Sequence, residues 1–275
     1  MQPSTVLADP YRVGPGTWVV PQLLETEPGV LVAINSMVIT ATEPVIVDTG
    51  TSVNRERWLA QVRSIVDPAD VRWVFLSHAD RDHIGNLAPV LEACPNATVV
   101  TTMWGVRHML ADGEPPLARM RWVNDGESFS AGDRVLHAVR PPVWDNTNTR
   151  GLYDPTTGVF WAADCFASML TAPVTNARDL DPGFWRESFA YEHSSYCDWH
   201  TLLDATRFNA LVDRSASLQP SVVASAHGPV LTGRMIDEAY AMVRELPGRG
   251  PVAEPGQPVL ERMLSALVGP PAAAA

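Results

Sequence analysis

The run Val71–Leu76, interrupted only by Arg72, reads as a buried strand, and it leads straight into Ser77-His78-Ala79-Asp80-Arg81-Asp82-His83. An apolar strand with a polar loop at its carboxyl end is how open α/β sheets present their ligands. Four side chains able to hold a metal, His78, Asp80, Asp82 and His83, fall within six residues. On a tight loop, alternate side chains can face two different ions. Imidazoles suit iron and zinc, and carboxylates suit harder cations. A solvated loop gives no reason for two His and two Asp at the end of an apolar strand.

The surrounding chain alternates strand and helix. Thr17–Val20, Val30–Thr40 and Pro44–Val47 carry the β-rich pattern of strands, Asn54–Val66 reads as a helix stopped by Asp67-Pro68, and Asn86–Ala93 as a second helix before the strand Ala97–Thr102. Strands are expected again at Arg134–Val139, Gly151–Tyr153, Val159–Ala162 and Ser221–Ala226, with an amphipathic stretch at Asp198–Arg214 and a helix at Arg234–Leu246. Two β-rich halves, each with helices, predict sheet packed on sheet with helices outside. One domain is expected over residues 1–246. Residues 247–275 read as a Pro/Gly-rich linker, a short helix Leu260–Val268 docked on the body, and a frayed tail from Pro270.

Charge narrows the function classes. The chain has 20 basic against 31 acidic residues, a net charge of −11, so it repels phosphate backbones and is not expected to bind nucleic acid. All the basic residues are Arg, which excludes a Schiff-base or phosphate-loop lysine. Three widely spaced cysteines give neither a disulfide framework nor a Cys-rich zinc site. No apolar run is long enough for a membrane span, and Met1–Pro10 lacks the basic and apolar regions of a secretory signal, so the expected location is the cytoplasm.

The cluster His78-Ala79-Asp80-Arg81-Asp82-His83 resembles the His-x-His-x-Asp-His motif of the metallo-β-lactamase fold, with Asp80 in place of the second His. The flavodiiron branch of that superfamily has Glu there. Asn35–Ile39 followed by Val45–Thr49 is similar to its opening strands, Phe160–Phe166 to the segment that supplies a bridging Asp, and Ser225–Pro229 to the one that supplies the last His. The resemblance spans residues 17–232 and implies an α+β fold, the four-layer αββα sandwich, with a dinuclear site at one edge. Carried over, one metal takes His78, Asp80 and Asp145, the other takes Asp82, His83 and His227, and Asp164 bridges. Asp82 and Asp164 are the candidate catalytic carboxylates. Asp145 stands where the family has His. His137, eight residues earlier inside a predicted strand, is the alternative.

Four carboxylates and three neutral imidazoles carry −4, which two divalent ions bring to zero. A neutral cluster lowers the pKa of bound water less than a positive one does, and favours iron or manganese over zinc. The resemblance therefore implies two metal ions, iron before zinc or manganese. The function implied is binding or reduction of O2 or NO, or oxidation of a small substrate. The same fold offers a dizinc hydrolase of an ester, thioester or lactam as the alternative. No flavodoxin-like sequence follows His227, so a redox role implies a separate electron donor. Homodimers are common in the family, which makes a second copy a candidate partner.

Phe184–His200 is dense in aromatics and His, and reads either as a cap bringing Trp185, Tyr191, His193 and His200 near substrate or as core packing. Arg150 is a candidate partner for a site carboxylate or an anionic substrate, and Tyr153 sits in the same stretch. Cys165 is expected to point into the core, and His108 to lie on a helix surface.

Overall fold

The computed structural model describes residues 4–111, 113 and 115–268. The expected frayed tail from Pro270 lies outside them. The strands divide cleanly into two sheets along the chain. The first holds β1 (Ser4–Val6), β2 (Tyr11–Gly14), β3 (Thr17–Glu27), β4 (Val30–Ile39), β5 (Val45–Val47), β6 (Trp73–Phe75), β7 (Thr98–Thr101) and β8 (Met120–Trp122). The second holds β9 (Ser128–Ser130), β10 (Val135–Val139), β11 (Gly151–Asp154), β12 (Val159–Trp161), β13 (Val222–Ala224) and β14 (Leu231–Thr232). The order β1-β3-β4-β5-β6-β7-β8 has β2 paired on β3, and the second sheet runs β14-β13-β12-β11-β10-β9. The pairs β5–β6, β6–β7, β7–β8 and β12–β13 are parallel.

Alternation along the strands builds the layers. Val45 and Val47 of β5 face a core shared with Phe75, Phe129, Leu152 and Trp161 between the sheets, whereas Ile46 faces outward onto Trp58, Leu59 and Val62. In β12, Val159 and Trp161 join the central core, and Phe160 turns outward to Trp185, Phe189 and Phe208. The outer helices are α1 (Arg55–Ile65), the short α2 (Arg81–Ile84), α3 (Leu87–Ala93) and α4 (Met103–Met109) on the first sheet. On the second are α5 (Pro182–Tyr196), α6 (Ala205–Ala216) and α7 (Arg234–Arg244). This is the four-layer αββα sandwich that the two β-rich halves predict.

Some expectations need correction. Asp198–Arg214 is not one amphipathic element: a 3-10 turn at Asp198–Leu202 ends, and Asp204 starts α6 afresh by accepting a hydrogen bond from Arg207 N at 2.9 Å. The aromatic segment from Phe184 forms most of α5, capped by Asp181 with Pro182 in its first turn. The last helix, α8 (Gln257–Val268), is present, but Leu260, Met263 and Leu264 are exposed rather than docked on the sheets. No helix among the described residues is long and apolar enough to cross a membrane.

Candidate metal centre

Four strand ends meet at one edge of the sandwich. Asp48 follows β5, Ser77–His83 follow β6, Asp164 follows β12 and His227 follows β13, while Asp145 lies in the loop between β10 and β11. Two backbone turns aim these groups. Asp48 has φ 56° and Ala163 has φ 53°, both left-handed, a conformation that costs a non-glycine residue about 1 kcal/mol or more. Ala163 is held there because its carbonyl accepts from Ala226 N at 2.8 Å and from Ser225 Oγ at 3.2 Å, which turns Asp164 into the site.

The expected ligands converge in two half-sites. In one, His78 Nε2 lies 3.8 Å from Asp80 Oδ2, 3.9 Å from Asp145 Oδ2 and 3.3 Å from Asp164 Oδ2. In the other, Asp82 Oδ2 lies 3.6 Å from His83 Nε2 and 3.3 Å from His227 Nε2. Asp164 Oδ1 is 3.1 Å from His83 Nε2 and 3.2 Å from His227 Nε2. The two oxygens of Asp164 thus face opposite halves.

Outer contacts set the imidazole tautomers. His83 Nδ1 donates to Asp48 Oδ2 at 3.0 Å, and His227 Nδ1 to the Ala33 carbonyl at 2.8 Å. Ser77 Oγ donates to Asp48 Oδ2 at 2.7 Å, so it accepts from His78 Nδ1 at 3.1 Å. All three Nε2 atoms are left facing the centre. His78 Nε2, His83 Nε2 and Asp164 Oδ1 are buried without a correctly directed hydrogen bond, although they crowd together. Buried polar atoms are normally paired. Lone pairs that meet at a common point instead fit a bound cation.

Protonation follows the same crowding. Burial alone would lower the His83 imidazole, but Asp164 and Asp48 outweigh it and hold its pKa well above the usual value. His227 is pulled down by burial and carried up to about 9, chiefly by Asp164. Burial would raise Asp164, and the three imidazoles hold it well below the carboxylate range. Asp145 is pushed up to about 6 by burial and by the neighbouring Asp164. Both raised imidazoles stabilise the metal-free fold fully below their unfolded pKa near 6.5, and for His227 this contribution disappears as pH rises through about 9. Protons and metal compete for the same nitrogens. Titrating metal-free protein with a divalent ion at pH 7 is therefore expected to release about two protons per chain, read with a pH indicator, and fewer above pH 9. Release of none would mean that the imidazoles are not the binding groups.

The other sequence candidates fall elsewhere. His137, in β10, faces a cavity of about 330 Å³ with Asp125, Tyr153 and Arg214, apart from the cluster. Tyr153 donates to the Leu218 carbonyl at 2.9 Å. Arg150 is buried and its guanidinium serves the carbonyl of Thr149 at 2.6 Å, not a site carboxylate. Trp185 is core. His193 is buried, its Nε2 accepting from Phe166 N and its Nδ1 donating to the Phe189 carbonyl, and burial pushes it down to about 4. His200 is buried and donates to the Leu246 carbonyl, and Tyr191 is exposed at a groove with Phe184 and Met169. None of these four side chains contacts the cluster. Cys165 is buried in the outer core, and His108 is exposed on α4.

Sequence reasoning missed the supports. Asp48 accepts from Ser77 N, Ser77 Oγ, His83 Nδ1 and Trp161 Nε1 and is fully buried. Asn146 Nδ2 approaches Asp80 Oδ1 at 3.4 Å, and Thr149 Oγ1 approaches Asp145 Oδ1 at 3.4 Å. Asn148 joins the two loops, donating to Asn146 Oδ1 at 2.8 Å and accepting from Ala79 N at 3.2 Å. Only Asp48 left a trace in the sequence, as an acid at the end of the buried strand Val45–Val47.

Residues 29–162 match the metallo-beta-lactamase superfamily. Diflavin flavoprotein A 1 of Synechocystis is 27% identical over 199 residues, which are 72% of this chain and 34% of that protein. The nitric oxide reductase of Moorella thermoacetica is 23% identical over 218 residues, 78% of this chain and 54% of that one. The chain thus spans about a third to a half of the length of these relatives. Among solved structures, the flavodiiron protein from Giardia intestinalis superposes with a TM-score of 0.77 at 18% identity, covering 88% of this chain and 60% of the other. Rubredoxin oxygen:oxidoreductase from Desulfovibrio gigas gives 0.76 at 17%, covering 89% and 63%. Residues 29–162 thus match the metallo-beta-lactamase superfamily, and over most of its length the chain is similar in sequence to diflavin flavoproteins and in fold to flavodiiron proteins.

Proposed function

We propose that the chain is a flavodiiron-like nonhaem diiron protein that binds O2 or NO and reduces it with electrons from a separate donor. The observation that carries this reading is the pair of half-sites joined by the two oxygens of Asp164, with the free Nε2 atoms of His78 and His83 buried against them. Relatives named nitric oxide reductase and rubredoxin-oxygen oxidoreductase support the choice of diatomic ligand.

In this reading His78, Asp80 and Asp145 would hold one iron, Asp82, His83 and His227 would hold the other, and Asp164 would be shared between them. When bound, the iron pair supplies the coordination position and the electrons that a diatomic molecule needs. The protein does the rest. Asp48 and the Ala33 carbonyl orient His83 and His227, and Ser77 orients His78. Phe75, Trp161 and Ala226 at these strand ends belong to the buried core between the sheets. Glu192 of α5 is half-buried, and that burial raises its carboxyl against the pull of His227.

The test is metal content of anaerobically purified protein, followed by titration of the reduced form with O2 and with NO. About two irons per chain and stoichiometric oxidation are expected. Two zincs with turnover of esters or thioesters, and no reaction with either gas, would replace this reading by a hydrolase.

A paired substitution tests the ligand set. Asp145→Ala is expected to lower metal content by about one ion per chain, because it removes one of three private ligands from a half-site with a single imidazole. His137→Ala is expected to leave it unchanged. Loss of metal from His137→Ala alone would overturn the assignment.

A further inference from the structure

The half-sites differ in donor chemistry. The first offers one nitrogen, His78 Nε2, and carboxylate oxygens from Asp80, Asp145 and the shared Asp164. The second offers two nitrogens, from His83 and His227, and oxygens from Asp82 and Asp164. Leaving Asp164 aside, the first carries two private negative charges and the second carries one. Imidazole favours iron and zinc, whereas carboxylate oxygen favours harder ions such as manganese.

They also differ in how firmly the donors are held. His83 and His227 are fixed through Nδ1 at 3.0 and 2.8 Å by a buried carboxylate and a strand carbonyl. In the first, His78 Nδ1 is held by a hydroxyl, Ser77 Oγ at 3.1 Å, and among the described residues the side-chain hydrogen bonds to Asp80 and Asp145 come from neutral groups at 3.4 Å, Asn146 Nδ2 and Thr149 Oγ1; the Asp80 side chain is 43% exposed, against 35% for Asp82. Outer-shell anchoring raises a ligand's basicity and fixes its geometry. The second half-site is therefore the preorganised, nitrogen-rich one. The first is adaptable and oxygen-rich.

We infer that the two positions are inequivalent: the His83–His227 position fills first with iron or zinc, and the Asp80–Asp145 position is a hard-cation position that accepts manganese(II) and exchanges it. This rests on the dinuclear reading above and specifies it, since a cell would then load a mixed pair wherever manganese is abundant.

The test uses the full metal-free chain. One equivalent of zinc is added, then manganese(II) is titrated while its electron paramagnetic resonance signal is followed. The expected result is one manganese per zinc-loaded chain, with zinc retained and anomalous scattering at each element's edge placing zinc by His227 and manganese by Asp145. Asp145→His, which adds an imidazole to the first position, is expected to weaken manganese binding on the order of tenfold and to tighten a second zinc. The inference fails if the first equivalent of zinc spreads over both positions, or if manganese enters the His83–His227 position. It also fails if Asp145→His binds two metals while leaving manganese affinity unchanged. Fewer than two ions of any metal per wild-type chain is a different result, and it overturns the dinuclear reading itself.

Discussion

Asp164→Asn is expected to cost the protein both metals. Each oxygen of Asp164 faces a different half-site, Oδ2 toward His78 and Oδ1 toward His83 and His227, so one substitution removes an anionic donor from two positions at once. Changes in outer-shell residues typically weaken metal binding by about tenfold to a hundredfold. Loss of a shared ligand is expected to exceed the upper end of that range at both positions, taking metal content from about two ions per chain to below one after dialysis. The fold is expected to survive. The Asp164 carbonyl still accepts from Tyr196 Oη at 2.8 Å and from Ala167 N at 3.2 Å, and Asn keeps the side-chain shape. A second readout separates this from simple damage. Asp164 is the main cause that raises His227, so in Asp164→Asn that imidazole should be largely neutral at pH 7. Metal addition should then release fewer protons than in the wild type. Retention of two tightly held ions would remove the bridge from the description of the site.

Asp48→Asn is expected to be the most destabilising change at the centre. Its carboxylate is fully buried and accepts four hydrogen bonds, from Ser77 N and Oγ at 2.7 Å each, His83 Nδ1 at 3.0 Å and Trp161 Nε1 at 3.1 Å. These donors come from the end of β6, from α2 and from β12, so one group ties both sheets together at the metal edge. Asn preserves the shape and tolerates the left-handed φ of 56°. It also turns an amide NH2 toward hydroxyl, imidazole and indole donors and leaves them buried without an acceptor. Breaking a buried charged network in this way costs about 3–5 kcal/mol, or a fall in Tm of roughly 10 °C for a chain of this size. The loss should appear in thermal unfolding of the metal-free protein, before any effect on metal, because the network closes without the ions. Metal at the His83–His227 position should weaken as well, since His83 loses the acceptor that fixes its tautomer. An unchanged Tm in the metal-free form would mean that Asp48 matters only through the metals.

Much of this was readable in the sequence, for a physical reason common to the parts that were. Strands β5, β6 and β12 sit where apolar runs end in turn residues, because a strand buried on both faces is apolar throughout. The cluster from His78 to His83 was visible because its members are neighbours in the chain. The helix α5 was not visible. Its Trp185, Phe189 and His193 fall at helical spacing, but Tyr191 and Phe184 put aromatics on its open side and blur the periodicity. The same blur left His193 open as a candidate beside substrate, although it is a neutral core histidine with both ring nitrogens paired.

Sequence alone determined the kinds of side chain in the cluster, their order and the layers that carry them, since residue chemistry and strand periodicity are local properties. Tertiary structure decided which candidates meet. Asp145 enters the centre because it lies in the loop after β10, whereas His137, within β10, pairs in register with Tyr153 and Ser128 and lines a separate cavity. Tertiary structure also decided that Asp48, 29 residues before Ser77 and 113 before Trp161, becomes the carboxylate on which the site is hung. Such contacts depend on which strand ends the two sheets bring to one edge, and no window of neighbouring residues contains that information.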